Sequence, residues 1–443
     1  MVLTFAAVQE ESAQGQPVRR AAQAALAAVL RRQQPLDEAL TAAAVGLGLE
    51  LRDRAFLRQL TTTTLRALGV IDRALASRLK RPNDLPPSCL DALRLGAAQL
   101  LFLDTPAHAA VDGAVNSLPS KLGSAQRGLV NAVLRRIAAD GPKALEKVDR
   151  DRATLPGWLW TRLIAAYGEE VARAAASAMR TEPPLDVTLR DAEPGDWPAR
   201  LEATLLPTGT LRRVSEGRVE ALSGFDEGAW WIQDAAAALP AKLLGPVKGL
   251  RVADLCAAPG GKTAQLLSFG AEVTAVDRSP ARLERLKRNM ERLGYKPRIV
   301  AADAARWRPE TPFDAILLDA PCTATGTLRR HPDVAWTKTP KDLTALTGLQ
   351  DRLLTAAVEM LRPGGTLVYC TCSLLPEEGE ARIDALLASG APVERAPLDA
   401  GDCAESSFIT ARGELRTLPG AWAEQGGLDG FFAARLRRIA VSG

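Results

Sequence analysis

The reading of the chain turns on Arg251-Val-Ala-Asp254-Leu-Cys256-Ala257-Ala258-Pro259-Gly260-Gly261-Lys262-Thr263. An apolar run of strand length ends on an acid, passes through small residues and a Gly pair, and opens into a helical pattern. Gly261-Lys262-Thr263 looks like the end of a phosphate-binding P-loop, yet Cys256 stands where such a loop needs its first glycine, five positions before Gly261. A G-x-G-x-x-G turn is absent as well, which argues against a pyrophosphate cofactor. What remains is a loop of small residues, 256–262, whose backbone N–H groups are open to the carboxylate of a ligand.

Outward from this loop the pattern repeats. Strands are expected at 272–277, 298–301, 313–319 and 365–371, with helices at 280–293 and 342–361. Strands alternating with helices at this spacing predict an α/β domain over 233–443 with a doubly wound, mostly parallel sheet. Ligands of such sheets sit at the carboxyl ends of the strands. Asp277 closes the second strand, where an acid accepts hydrogen bonds from ribose hydroxyls, and Asp303 follows the third, within reach of an adenine edge. With the 256–262 loop they point to an adenosine-bearing ligand. Two further strand ends carry thiols: Asp319-Ala-Pro-Cys322 and Thr371-Cys372-Ser373. A thiolate is a strong nucleophile once its pKa is lowered, so Cys322 and Cys372 are the candidate reactive pair, with Asp319 beside them. Cys89 and Cys370 read as small buried hydrophobes, Cys370 being expected to face away from Cys372.

Upstream the period changes. Residues 1–142 are Ala- and Leu-rich with apolar stripes at helical spacing, which predicts an all-α domain. Residues 143–232 hold a Trp-rich helix and short strand-like runs, a small α+β linker region. Trp158 and Trp160 read as core, whereas Arg127, Arg135 and Arg136 form either a solvated helix face or an RNA-contacting patch. Lys287, Arg288, Arg292, Lys296, Arg298, Arg329 and Arg330 are further candidate phosphate contacts, each of which reads more readily as a solvated surface charge.

Composition narrows the class. Lys+Arg 56 against Asp+Glu 52 gives a net charge of +4, too small for a tail-driven polyanion binder but compatible with local basic patches. No apolar run has the length of a membrane span, and Met1–Glu11 lacks the basic start of a secretory signal. Six cysteines in 443 residues are no disulfide framework, so the reducing cytoplasm is the expected compartment. Two histidines, His108 and His331, disfavour a His-based zinc site or Ser-His-Asp hydrolysis, and no metal is expected.

The motifs Asp254-Leu-Cys-Ala-Ala-Pro-Gly-Gly-Lys262, Asp319-Ala-Pro-Cys322, Arg329-Arg-His-Pro-Asp333, Thr371-Cys-Ser373 with Pro376-Glu377-Glu378, Gln233-Asp-Ala235 and Asp429-Gly-Phe-Phe432 resemble the RNA cytosine-5 methyltransferases. Leu93-Arg-Leu-Gly96, Pro106-Ala-His108 and Val130-Asn-Ala-Val-Leu-Arg-Arg136 resemble the RNA-binding fold of the antitermination factor NusB. That fusion is the architecture of the bacterial 16S ribosomal RNA cytosine-5 methyltransferase B family, and the resemblance covers nearly the whole chain. It implies a multidomain protein: an all-α NusB-like N-terminal domain, a small α+β linker domain and a Rossmann-like methyltransferase domain. S-adenosyl-L-methionine is the implied cofactor, on Cys256, Ala257, Ala258, Pro259, Gly260, Gly261, Lys262, Asp277, Asp303 and Asp319. The family pattern assigns attack on C6 of the base to Cys372 and product release to Cys322, an order that the chemistry of the residues alone leaves open. Asp319 is the candidate to assist at ring N3. The implied partner is unassembled or partly assembled 16S ribosomal RNA, bound by a monomer, with the helical domain as a substrate clamp. Two alternatives stand beside this reading: a transfer-RNA cytosine-5 methyltransferase, and an RNA-binding assembly or antitermination factor without catalysis.

Overall fold

Alanine at helical spacing builds the first part of the chain. The computed structural model describes residues 16–440 apart from 82–83, 192, 215–216 and 404; Met1–Glu11 and Pro82 lie outside the described residues. Helices Gln16–Arg32, Leu36–Gly46, Leu51–Arg66, Leu68–Ala76, Pro87–Phe102, Ala107–Asn116 and Ser124–Asp140 pack around one core. Ala21, Ala22 and Ala25 are wholly buried there, and such small side chains let neighbouring helices approach closely. Gly96 serves the same end, since a Cβ on it would lie 2.5 Å from Leu134. None of the described helices is long and apolar enough to cross a membrane.

The chain forms two compact units. The helical one runs to Thr181 and also takes in Leu328–Lys338, a segment from far along the sequence. Hydrogen bonds from the helices hold that segment. Asp333 Oδ2 accepts from the N–H of Leu36 at 3.2 Å, satisfying a donor that helix Leu36–Gly46 leaves open at its first turn. Trp336 donates its indole N–H to the carbonyl of Leu65 at 2.9 Å. Arg66 donates to the carbonyl of Arg329 at 3.1 Å. Gly69 makes room chiefly for the Ala153 carbonyl oxygen, 2.0 Å from where its Cβ would stand, and then for the Trp336 ring at 3.1 Å. Residues 143–232, read from the sequence as a linker, divide between the units, with helix Gly157–Met179 in the first.

The second unit comprises Glu182–Thr327 and Thr339–Gly443 and contains two sheets. The small one has strands β1 (Leu185–Leu189), β2 (Thr204–Leu205), β3 (Leu211–Arg213) and β4 (Trp230–Ile232), all antiparallel in the order β2-β3-β1-β4. The buried Asp186 carboxylate takes both arms of the Arg212 guanidinium at 2.7 Å, a bidentate pair whose lone pairs and protons are otherwise well used.

The large sheet contains β5 (Arg251–Leu255), β6 (Glu272–Asp277), β7 (Arg298–Ala301), β8 (Phe313–Asp319), β9 (Leu361–Thr371), β10 (Val393–Arg395), β11 (Leu415–Thr417) and β12 (Phe431–Arg438). Its order is β10-β12-β9-β8-β5-β6-β7, parallel from β9 through β7 and antiparallel where β12 joins. The winding reverses between β5 and β8, so their carboxyl ends flank the crevice where ligands of such sheets bind. Helix Pro340–Met360 starts on a capping box of Thr339 and Asp342. Its neighbour β9 begins at Leu361, earlier than the 365 expected, because Leu361 pairs with Phe313 before a register shift that carries the Pro363-Gly364-Gly365 stretch out of the ladder.

Candidate active site

At the end of β5 the backbone turns sharply. Cys256 adopts φ +63° and Gly260 φ +104°, the left-handed region that a β-carbon disfavours. Glycine is further needed at 260 because a Cβ would sit 3.0 Å from Leu286 Cγ. The turn feeds helix Gly261–Ser268, whose first-turn N–H groups have no acceptor within the helix and suit an anionic group. Behind the loop, Asp254 is fully buried. Its Oδ2 accepts from the Thr263 hydroxyl at 2.6 Å while Oδ1 has no partner among the described residues. Burial pushes this carboxyl up to about 7, against the opposing hydrogen bond from Thr263. The Cys256 thiol is driven well up by burial and then by Asp277, which keeps it protonated.

Asp277, at the end of β6, is buried and accepts from the N–H groups of Ala258 at 3.2 Å and Ser279 at 2.9 Å. Arg282 lies 3.4 Å from it. A carboxylate offers about four acceptor positions, so these two N–H bonds leave capacity for ligand hydroxyls. Asp303 is half-exposed, and its Oδ1 accepts from Ala305 N–H at 3.0 Å, closing the turn after β7. The open backbone donors, the unpartnered Asp254 oxygen and the spare capacity of Asp277 fit the amino-acid and ribose ends of S-adenosylmethionine.

One strand over, β8 ends in Asp319 and leads to Cys322, and β9 leads to Cys372. The two sulfur atoms are 3.5 Å apart. The hydrogen bond with Cys372, reinforced by burial, pushes the Cys322 thiol well above its usual value. Asp319 Oδ2 accepts from Lys262 Nζ at 2.8 Å. Burial disfavours the Lys262 charge, but Asp319, together with the sulfurs of Cys370 and Cys372, outweighs this and holds the ammonium above its ordinary value.

Both thiol turns are tied to one buried carboxylate. Glu378 is fully buried and accepts from the Thr323 N–H at 2.9 Å, the Ser373 hydroxyl at 2.6 Å and the Gln350 amide at 3.1 Å; the Thr323 hydroxyl bonds to it as well. Thr323 follows Cys322 and Ser373 follows Cys372, so Glu378 fastens the backbone beside each sulfur. A second tie passes through glycine. Gly326 N–H donates to the carbonyl of Cys372 at 2.9 Å, and a Cβ on Gly326 would lie 1.9 Å from the Gly430 carbonyl oxygen. No other residue fits there.

The sequence reading placed Cys256, Cys322, Cys372, Lys262, Asp277, Asp303 and Asp319 at strand ends, and they stand at the carboxyl edge of one sheet. It assigned no role to Glu378, whose partners lie up to 55 residues away in the chain. Three expectations are corrected. Cys370 does not face away from Cys372: residues two apart on a strand share a face, and both pack on the same core cluster, with Cys370 Sγ 3.5 Å from Asp319 Oδ1. Arg292 is no free phosphate contact, since it donates to the carbonyls of Phe225 and Trp230; Arg329 is buried. Arg127 donates to the carbonyls of Val115, Leu118 and Pro119 and is a structural brace.

The reversed winding, the open loop after β5 and the acids closing β6 and β8 define a Rossmann-like enzyme domain of the methyltransferase class, joined to a helical domain. Residues 241–437 match the family model described as 16S rRNA methyltransferase RsmB/F, and residues 16–139 match that of the NusB family. The chain is 37% identical over 442 residues to the ribosomal RNA small subunit methyltransferase B of Pseudomonas syringae pv. tomato, an alignment covering 96% of this chain and 97% of that one. It is 38% identical over 445 residues to the protein of the same name from Xanthomonas campestris pv. campestris, covering 96% and 98%. The chain belongs to the ribosomal RNA small subunit methyltransferase B family. Among solved structures, PH0851 shares the fold with a TM-score of 0.75 at 24% identity, over 95% of this chain and 99% of that one.

Proposed function

We propose that this chain transfers a methyl group from S-adenosyl-L-methionine to C5 of a cytosine in 16S ribosomal RNA, through a covalent bond between Cys372 and C6 of the base. The observation that carries the reading is the pair of thiols 3.5 Å apart beside the Lys262–Asp319 ion pair. C5 of cytosine is a poor nucleophile; thiolate addition at C6 turns it into an enamine carbon able to accept a methyl group. When bound, S-adenosylmethionine supplies that methyl as an electrophile.

The chain's own residues do the rest. Loop 256–262 and Asp277 hold the amino-acid and ribose ends of the cofactor, and Asp303 borders the adenine. The Cys372 hydrogen bond and burial push the Cys322 thiol up, which disfavours it as the attacking thiolate. The family pattern assigns attack to Cys372. After methyl transfer the C5 proton leaves to water and the C6–S bond breaks, returning the Cys372 thiolate; Cys322 assists in this product release. Asp319, held in place by the Lys262 ammonium, assists at ring N3 as C6 is attacked. The target base must be unstacked to receive the thiolate, which calls for single-stranded or flipped RNA in the cytoplasm.

Incubating the purified chain with S-adenosylmethionine and a 16S ribosomal RNA transcript, followed by bisulfite sequencing, tests the reading. One protected cytosine is the expected result. No protected cytosine sinks it, and protection in transfer RNA instead moves the substrate.

A further inference from the structure

The helical unit carries a cleft of 780 Å³ bounded by helices Leu68–Ala76 and Ser124–Asp140, the turn Gly141–Leu145 and helix Arg150–Thr154. Its floor is apolar, with Ala144 and Ala153 buried. Arg73, Arg136, Lys143 and Lys147 stand exposed on its rim, and among the described residues none of them has an acidic partner. The acids of the cleft are largely spoken for: Asp140 pairs with Arg78, and Asp149 takes the Arg173 guanidinium at 3.1 Å and caps Arg152. Glu146 alone remains to offset the four cations. Uncompensated cations converging on one concavity concentrate positive potential there, whereas the same charges spread over a surface are screened by salt.

We infer that this cleft binds the sugar–phosphate backbone of the RNA substrate. The inference rests on the reading of the chain as an RNA methyltransferase and adds where the helical unit holds the RNA. The cations come from different elements and are brought to one concavity by the packing of those elements, which suits a polyanionic backbone. Exposed Lys and Arg bind phosphates without reading bases, so the cleft contributes affinity and not sequence choice.

The test uses the full chain carrying Arg73→Gln, Arg136→Gln, Lys143→Gln and Lys147→Gln together. Its control carries Arg20→Gln, Arg32→Gln, Arg52→Gln and Lys80→Gln, four exposed cations of the same unit outside the cleft. Affinity for a 16S ribosomal RNA transcript is measured by fluorescence anisotropy across a salt series, with methylation at saturating RNA alongside. The cleft variant should bind roughly tenfold or more weakly near 0.1 M salt, and the slope of log affinity against log salt should become shallower by about 0.7 for each phosphate that the variant no longer neutralises. Its kcat should be unchanged while its KM for RNA rises, and the control should bind like the parent. Unchanged affinity in the cleft variant, or equal losses in variant and control, overturns the inference; the former result leaves the cleft to an acidic protein surface. Failure of the unaltered chain to methylate RNA is a separate outcome, and it sinks the enzymatic reading instead.

Discussion

Glu378 and the rim of the helical cleft use charge in opposite ways. The Glu378 carboxylate is wholly buried and surrounded by donors from Thr323, Ser373 and Gln350, while Arg73, Arg136, Lys143 and Lys147 are exposed and lack acidic partners among the described residues. A buried ion is tolerated only when its hydrogen bonds are made in advance, and it then fixes its partners in place. An exposed cation without a partner fixes nothing, but it is available to a polyanion at no cost in broken bonds. The difference teaches how to separate the two jobs of such an enzyme. Positioning of reacting atoms is found where polar groups are buried and satisfied; substrate capture is found where they are exposed and unsatisfied.

The largest effect should come from the thiols. Cys372→Ala should lower methylation at least about a thousandfold and form no covalent RNA complex. Cys322→Ala should stall after methyl transfer with enzyme bonded to RNA, seen as a slow band on denaturing gels with labelled RNA. A band in Cys372→Ala alone would exchange the two roles. Next is the carboxylate that ties the thiol turns. Glu378→Ala strands several buried donors and should cost about 3–4 kcal/mol in denaturant unfolding, with Glu378→Gln losing less. A cost within error of zero would break the claim that the edge is held together from behind.

Asp254 gives a pH signature. Its folded-state carboxyl lies near 7, above the ordinary value of 3.8, so the folded state binds more protons than the unfolded state between these values. Its contribution to stability is complete below the ordinary value and is lost as pH rises through about 7. Relative to Asp254→Asn, the parent should therefore lose on the order of 3 kcal/mol between about pH 4 and pH 8. Parallel stability–pH curves for the two proteins would remove the burial argument. Asp277→Ala should weaken S-adenosylmethionine binding by about ten- to a hundredfold, equivalent to about 1–3 kcal/mol, in calorimetry on the folded variant. Smallest of all, Cys370→Ala deletes a weak S–H donor to Asp319 and should alter kcat by less than about fivefold, under about 1 kcal/mol. A loss as large as that of Cys372→Ala would make Cys370 part of the chemistry.

Local pattern accounts for what was legible. The limits of β5, β6, β7 and β8 and of helix Pro280–Leu293 agree with the sequence reading because apolar runs, Ser279 and Gly294 mark them within a few residues. Strand ends also placed the two thiols and the acids on one edge. Illegible were the relations that cross the chain. Nothing near Glu378 announces that Thr323 will donate to it, and nothing near Lys262 announces Asp319, 57 residues on. The same holds for the cleft: Arg136 was visible as a basic residue, but Arg73, Lys143 and Lys147 join it only through packing. Arg127 and Arg292 carry the same charge and serve as braces, a distinction that depends on which backbone carbonyls the fold leaves open nearby.

The segment Leu328–Lys338 has a bearing on how the protein is made. Its Asp333 and Trp336 complete the helical unit, yet they are translated only after residues 182–327 have emerged. At a synthesis rate of about 5–20 residues per second that wait is on the order of ten seconds. During it the first turn of helix Leu36–Gly46 lacks its Asp333 acceptor and the carbonyl of Leu65 its indole donor. The helical unit is thus begun first and finished late, and the ribosome must deliver β1 to β8 of the second unit before the unit that precedes them can close.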